Sequence, residues 1–299
     1  MRSLTGSLLS LALIAAPVPL PAQGSVAPRP RGGAEFGIPL ASFLVPGLGQ
    51  YLEGSWLAGA GFTATAAGGY ALYFTGDQHA ASVEDLPRDP DGQRAFIGAQ
   101  LAQAAGELSA YDSFHRSLPL LQRVGKYDFV KTHESTASLL SAPFDLRMLK
   151  RWTTWIDLAH AAVVTALVLA ETEPGARYVP FRTRDGAFVA SFSYNAGVGE
   201  EALFRGWLYP VLHQKLGRRA WLSNGVQAAV FGGLHVSQAG PFALDITASA
   251  LYEGWLTRRN GWSIRESIFH HFWYDVAVGA ATLLTQKSGT VGVAIPVRF

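Results

Sequence analysis

Apolar positions along this chain fall into long, sparsely charged blocks separated by short basic turns. Blocks at Trp56–Phe74, Trp152–Ala170, Ala187–Gln214, Ala220–Val236, Pro241–Leu256 and Ser263–Thr285 approach the roughly 20 residues that a membrane-spanning helix requires. Trp56–Phe74 is uncharged and rich in Gly and Ala, the composition of a helix packed closely against others in lipid. Ala95–His115 has helical periodicity but carries Glu107 and Asp112, which predicts an amphipathic helix lying at the membrane surface or against the bundle. Punctuation supports these boundaries. Pro46-Gly47 marks a bend, Gly217 follows a helix ending in "HQKL", and Asn260-Gly261 turns the chain before Ser263 and Glu266, spaced as an S-x-x-E capping box. The expected fold is all-α, a polytopic transmembrane helix bundle.

The N-terminus has the pattern of an export signal, with Arg2, an apolar core at Leu8–Ala16 and then "PVPLPAQG". Four parts are expected: a signal peptide (residues 1–22), a membrane-associated region with one transmembrane helix (23–151), a second membrane domain (152–285) and a C-terminal tail (286–299). Basic residues suggest an orientation. With the exported N-terminus outside, Thr75–Arg151 and the turns Lys215–Arg219 and Arg258–Arg265 lie inside, and the two short turns hold three Lys or Arg each, while Ser237–Gly240 outside has none. The expected location is the bacterial inner membrane. The tail "VGVAIPVRF" alternates like a terminal barrel strand, but the rest of the chain lacks the repeated alternating segments of a barrel.

Composition narrows the classes further. Charged residues make up 15%, against about 25% in soluble domains, and apolar residues 49%. A formal charge of +2, with no basic stripe, argues against nucleic acid as a partner and leaves membrane lipids and a membrane-associated protein or peptide. The absence of cysteine excludes disulfides and thiol nucleophiles.

Against this background "VGEEALFRGW" stands out, because a carboxylate inside a membrane helix costs at least about 2.5 kcal/mol and marks a functional site by default. Glu201 and Arg205 are four apart and suited to an ion pair, whereas Glu200, about 100° round the helix, needs another partner. Partners exist in "VFGGLH", which holds Phe231 and His235, and in "HHFWYD", where His271 and Asp275 share a face. A buried carboxylate with imidazoles is acid–base apparatus, in which Glu200 accepts a proton from water. His270, His213 and His160 read as structural or interface residues, and Asp245 and Glu253 as secondary candidates. The alternatives are a non-catalytic scaffold or partner-binding protein, and a proton-relay transporter.

In this order "EEALFR", "FGGLH" and "HFWYD" resemble the EExxxR, FxxxH and HxxxN/D motifs of the CPBP family, the CAAX-protease and bacteriocin-processing intramembrane endopeptidases. The resemblance spans roughly Trp152–Thr285. It implies hydrolysis of a peptide bond with Glu200 activating water, His235 helping to position or deprotonate it, Glu201 and Arg205 supporting, and His271 with Asp275 at the oxyanion. Position 275 departs from the Asn common in the family. An ionised Asp accepts hydrogen bonds only, so Asp275 is better placed to orient His271 and stabilise its protonated form than to donate to an oxyanion. A divalent metal ion is a possible cofactor, although the HExxH pattern of zinc proteases is missing. Prenylated substrates belong to eukaryotic members, and the export signal points instead to another membrane-associated substrate.

Overall fold

Small residues, more than large apolar ones, decide how this chain packs. The computed structural model describes residues 33–81, 86–170 and 181–285; the expected signal peptide and C-terminal tail lie outside them. In chain order the helices are α1 (Gly37–Leu44), α2 (Leu48–Leu52), α3 (Trp56–Thr75), α4 (Gln78–Ala81), α5 (Pro90–Arg123) and α6 (Thr136–Leu140), followed by two 3-10 turns at Ala142–Phe144 and Leu146–Lys150. Then come α7 (Trp152–Ala170), α8 (Thr183–Glu201), a π-helical stretch at Ala202–Leu208, α9 (Tyr209–Lys215), α10 (Ala220–Ala239), α11 (Ala243–Arg259) and α12 (Arg265–Thr285). No strand occurs among the described residues.

The expected apolar blocks are recovered as α3, α7, α8 through α9, α10, α11 and α12. Among the described residues only α7 is both long and apolar enough to qualify as a membrane span by length and composition. Helices α8, α10, α11 and α12 are of comparable length but mix small and polar residues with their apolar ones.

The 34-residue helix α5 forms the centre. It starts where Asp89 accepts a hydrogen bond from the Gly92 amide at 2.6 Å, with Pro90 in the first turn, where no amide hydrogen is needed. Of the two placements expected for this segment, surface and bundle, the second holds. From Ala104 to Tyr111 every residue is buried, because Ala, Gly and Ser let neighbouring helices close in on several sides. A Cβ on Gly98 would stand 2.4 Å from the Tyr73 amide nitrogen of α3, and one on Gly199 of α8 would stand 3.1 Å from the Ala104 Cα. The bend at Pro46-Gly47 is fastened to the same helix: the Gly47 amide, with φ of 96°, donates to Ser109 Oγ at 2.8 Å, and Gln50 Nε2 donates to the Ser109 carbonyl at 2.8 Å.

Gly217 and Gly261 adopt the positive φ that their turn positions suggest, 68° and 66°. The Ser263–Glu266 capping box is not formed. Ser263 Oγ donates instead to Glu134 Oε1 at 2.6 Å, the Ile264 amide donates to Glu134 Oε2 at 3.0 Å, and Glu266 is taken up by Arg151, Thr153 and Asn260. A carboxylate from a distant loop outcompetes the local cap, which pattern spacing alone does not reveal. On the connector before α7, hydrogen bonds from the Arg147 guanidinium, and then from Arg265, hold the Asp145 carboxyl well below the usual carboxylate range.

Candidate active site

The end of α8 is where the unusual charge lies, and the backbone there changes its winding. Glu200 and Glu201 are the last α-helical residues, followed by seven residues with the wider π-helical pattern, a local distortion frequent at functional sites. Both glutamates are buried, at 4% and 1% exposure, and Arg205 is buried at 2%. Arg205 Nη1 lies 3.0 Å from Glu201 Oε1, so the expected pair exists. It is a close charge contact rather than an aligned hydrogen bond, for Nε and Nη1 of Arg205 and Oε2 of Glu201 lack hydrogen-bond partners among the described residues. The guanidinium is also held over the Phe231 ring of α10, 4.4 Å from its centroid.

His271 of α12 joins this pair to Glu200. Its Nδ1 is 3.0 Å from Glu201 Oε1, while Nε2 is 3.9 Å from Glu200 Oε2 and 3.5 Å from Asp275 Oδ2. With Nδ1–H donating to Glu201, Nε2 faces the two remaining carboxylates. Glu201 therefore orients the imidazole more closely than Asp275 does, a role hidden in the sequence because Arg205 seemed to account for that glutamate. Close approach of α8 and α12 is possible because Gly197 faces Phe272, where a Cβ would come within 3.0 Å of the backbone nitrogen.

His235 takes a different position. Its Nδ1 bonds the Phe231 carbonyl one turn back at 2.7 Å, and its ring packs on Phe231 at 4.7 Å between centroids. Phe231, not His235, lies level with His271, edge to face at 6.2 Å. Helix α10 continues past His235 to Ala239. Donation from Nδ1 to a carbonyl leaves Nε2 of His235 as the acceptor nitrogen.

Glu107 of α5 was not among the expected site residues. It is 2% exposed, accepts a hydrogen bond from Gln103 Nε2 at 2.7 Å, and its Oε2 would be 2.1 Å from a Cβ on Gly199. It is also in electrostatic reach of Glu200 and His271. Its surroundings in sequence, "QAAGELSA", were a usable signal: a carboxylate amid small residues of a helix that packs on several sides.

The other polar candidates stand apart. His213 Nδ1 meets Ser223 Oγ at 3.1 Å beside Phe129 and Trp262. His160 Nε2 meets Asp245 at 3.0 Å and stacks on Tyr274. His270 turns away from Glu200 toward Glu253. A cleft lined by Phe62, Leu101, Leu108, Tyr194 and Val198 among others runs between α3, α5 and α8; Ala104 and Val198 lie both on its wall and beside Gly199.

A carboxylate next to an imidazole held by further carboxylates, buried among helices, supplies the groups that general acid–base chemistry uses. Residues 185–277 match the family described as Rce1-like, type II CAAX prenyl endopeptidase. That segment contains Glu200, Glu201, Arg205, His235, His271 and Asp275, so the family match and the three motifs agree on a CAAX-protease-like family. Neither a curated protein nor a solved structure matches the chain.

The buried pair yields a stability prediction. Arg205→Met leaves the Glu201 carboxylate without its guanidinium partner and is expected to cost about 3–5 kcal/mol. The double variant Glu201→Gln/Arg205→Met is expected to recover a large part of that loss. Thermal unfolding of the three proteins in detergent, followed by circular dichroism, checks both outcomes.

Proposed function

We propose that the protein is a polytopic intramembrane endopeptidase that hydrolyses a peptide bond in a membrane-associated protein or peptide. The observation that carries this reading is the placement of Glu200 and His271 Nε2 within 3.9 Å of each other in a buried site. Glu200 removes a proton from water, and the resulting hydroxide attacks the scissile carbonyl carbon. The doubly protonated His271 ring donates Nδ1–H to Glu201 and Nε2–H to the developing oxyanion, with Asp275 opposing its charge. When the intermediate collapses, the C–N bond breaks and the proton held by Glu200 passes to the leaving amine. His235, held to Phe231 one turn beyond the ring that faces His271, has no step in this scheme.

Glu200 and Asp275 bring two carboxylates to the Nε2 side of His271, and the scheme routes no step through a metal. The apolar cleft between α3, α5 and α8 suits an apolar stretch of the substrate, and lipid-facing helices suit a substrate that is itself membrane-bound.

Two experiments test this reading. Wild type in detergent, incubated with membrane-derived peptides and followed by mass spectrometry, is expected to release new termini, and Glu200→Gln to lower that rate by about 100-fold or more at unchanged helical content. Absence of cleavage by wild type across the library, or full activity of Glu200→Gln, contradicts the proposal. The chain has no cysteine, so single cysteines can be placed at will. With a membrane-impermeant maleimide, cysteines at Arg218 and Asn260 are expected to label only from the cytoplasmic side and one at Ala239 only from the opposite side; equal labelling from one side rejects the multi-span arrangement.

A further inference from the structure

A second buried cluster lies on a neighbouring face of α12. Asp157 of α7, Glu253 of α11 and His270 of α12 each place one potential ligand atom within 4.8 Å of the others. They are exposed by 7%, 5% and 1%. The helices enter from one end of the bundle: Asp157 is five residues past Trp152, Glu253 six before Arg259 and His270 five past Arg265, which places all three about 8 Å from that end. Common depth on three helices does not arise from local sequence pattern.

Charge is not balanced there. Glu266, the neighbouring carboxylate, has Arg151 as its cation and bonds Thr153 and Asn260. Among the described residues no Lys or Arg pairs with Asp157 or Glu253; the basic partner of Glu253 is His270, whose Nδ1 is 3.1 Å from Oε1. One imidazolium neutralises at most one of two carboxylates. Asp157 Oδ2 and Glu253 Oε2 are moreover buried without any hydrogen-bond partner among the described residues, a costly arrangement for carboxylate oxygens. A divalent cation removes both difficulties, since two carboxylates and a neutral imidazole sum with it to zero. On the outer side of the ring, His270 Nε2 is 3.0 Å from Thr154 Oγ1. Donation from Nε2 to that hydroxyl leaves Nδ1 bare and facing the carboxylates, the outer-shell arrangement that orients histidine ligands.

We infer that Asp157, Glu253 and His270 form a binding site for a divalent transition metal ion, separate from the Glu200 cluster. One nitrogen and two carboxylate oxygens suit zinc and its neighbours better than calcium or magnesium, which favour all-oxygen sets. The ion ties α7, α11 and α12 together behind His271, so its role is to hold the helix that carries His271.

The test uses full-length protein in detergent, freed of metal with EDTA and titrated with Co(II), whose visible absorption reports ligand geometry. Wild type is expected to take up one Co(II) per chain. Asp157→Asn and Glu253→Gln are each expected to weaken binding by on the order of 100-fold, and Thr154→Val, which keeps all three ligands, by about tenfold. Glu200→Gln is expected to bind as wild type does. Failure of wild type to bind Co(II), or binding that survives Asp157→Asn and Thr154→Val but is lost with Glu200→Gln, overturns the inference. Because the readout is binding and not cleavage, the result stands independently of the proposed protease activity.

Discussion

A guanidinium buried in an apolar bundle must be matched in charge and held in place, and that requirement organises the centre of this molecule. Arg205 is matched by Glu201 and covered by the Phe231 ring, which brings α8, its π-helical extension and α10 together. Glu201 also takes the Nδ1 side of His271 and so brings in α12. Once these contacts are made, Nε2 of His271 has one direction in which to point, toward Glu200 and Asp275. The ion pair thus acts as a gauge for the neighbouring glutamate, and its contribution is geometric more than energetic, since buried pairs repay their desolvation only partly.

Close packing supplies the second constraint. Helix α5 passes through the bundle because its Ala, Gly and Ser residues give neighbours room, and it delivers Glu107 against Gly199, one residue before Glu200. Two consecutive histidines on α12, about 100° apart round the helix, then serve different neighbours, His271 the Glu200 cluster and His270 Asp157 and Glu253. One helix therefore carries two polar clusters within the same turn, and displacement at either is transmitted to the other through its backbone.

Much of this was visible in the residue pattern. Long apolar blocks mark α3, α7, the run from α8 through α9, α10, α11 and α12 to within a few residues, because helical length and turn glycines are local properties. The pairing of Glu201 with Arg205 and the shared face of His271 and Asp275 follow from four-residue spacing alone. Tertiary choices were not visible. Glu134 displaces Glu266 from the cap of α12, Glu201 rather than Asp275 makes the close contact to His271, and His235 bonds its own helix while Phe231 faces His271. Glu107 was hidden for the related reason that a helix of small residues with a carboxylate looks amphipathic when its neighbours are unknown.

The claim that Glu200 acts as a base on water, not as a covalent nucleophile, is tested most directly by single-turnover cleavage in ¹⁸O-enriched water with enzyme in excess. The account predicts one heavy oxygen in the new C-terminal carboxylate of the product in the first turnover and none in the Glu200 side chain. An unlabelled first product, with ¹⁸O retained on Glu200, would contradict it.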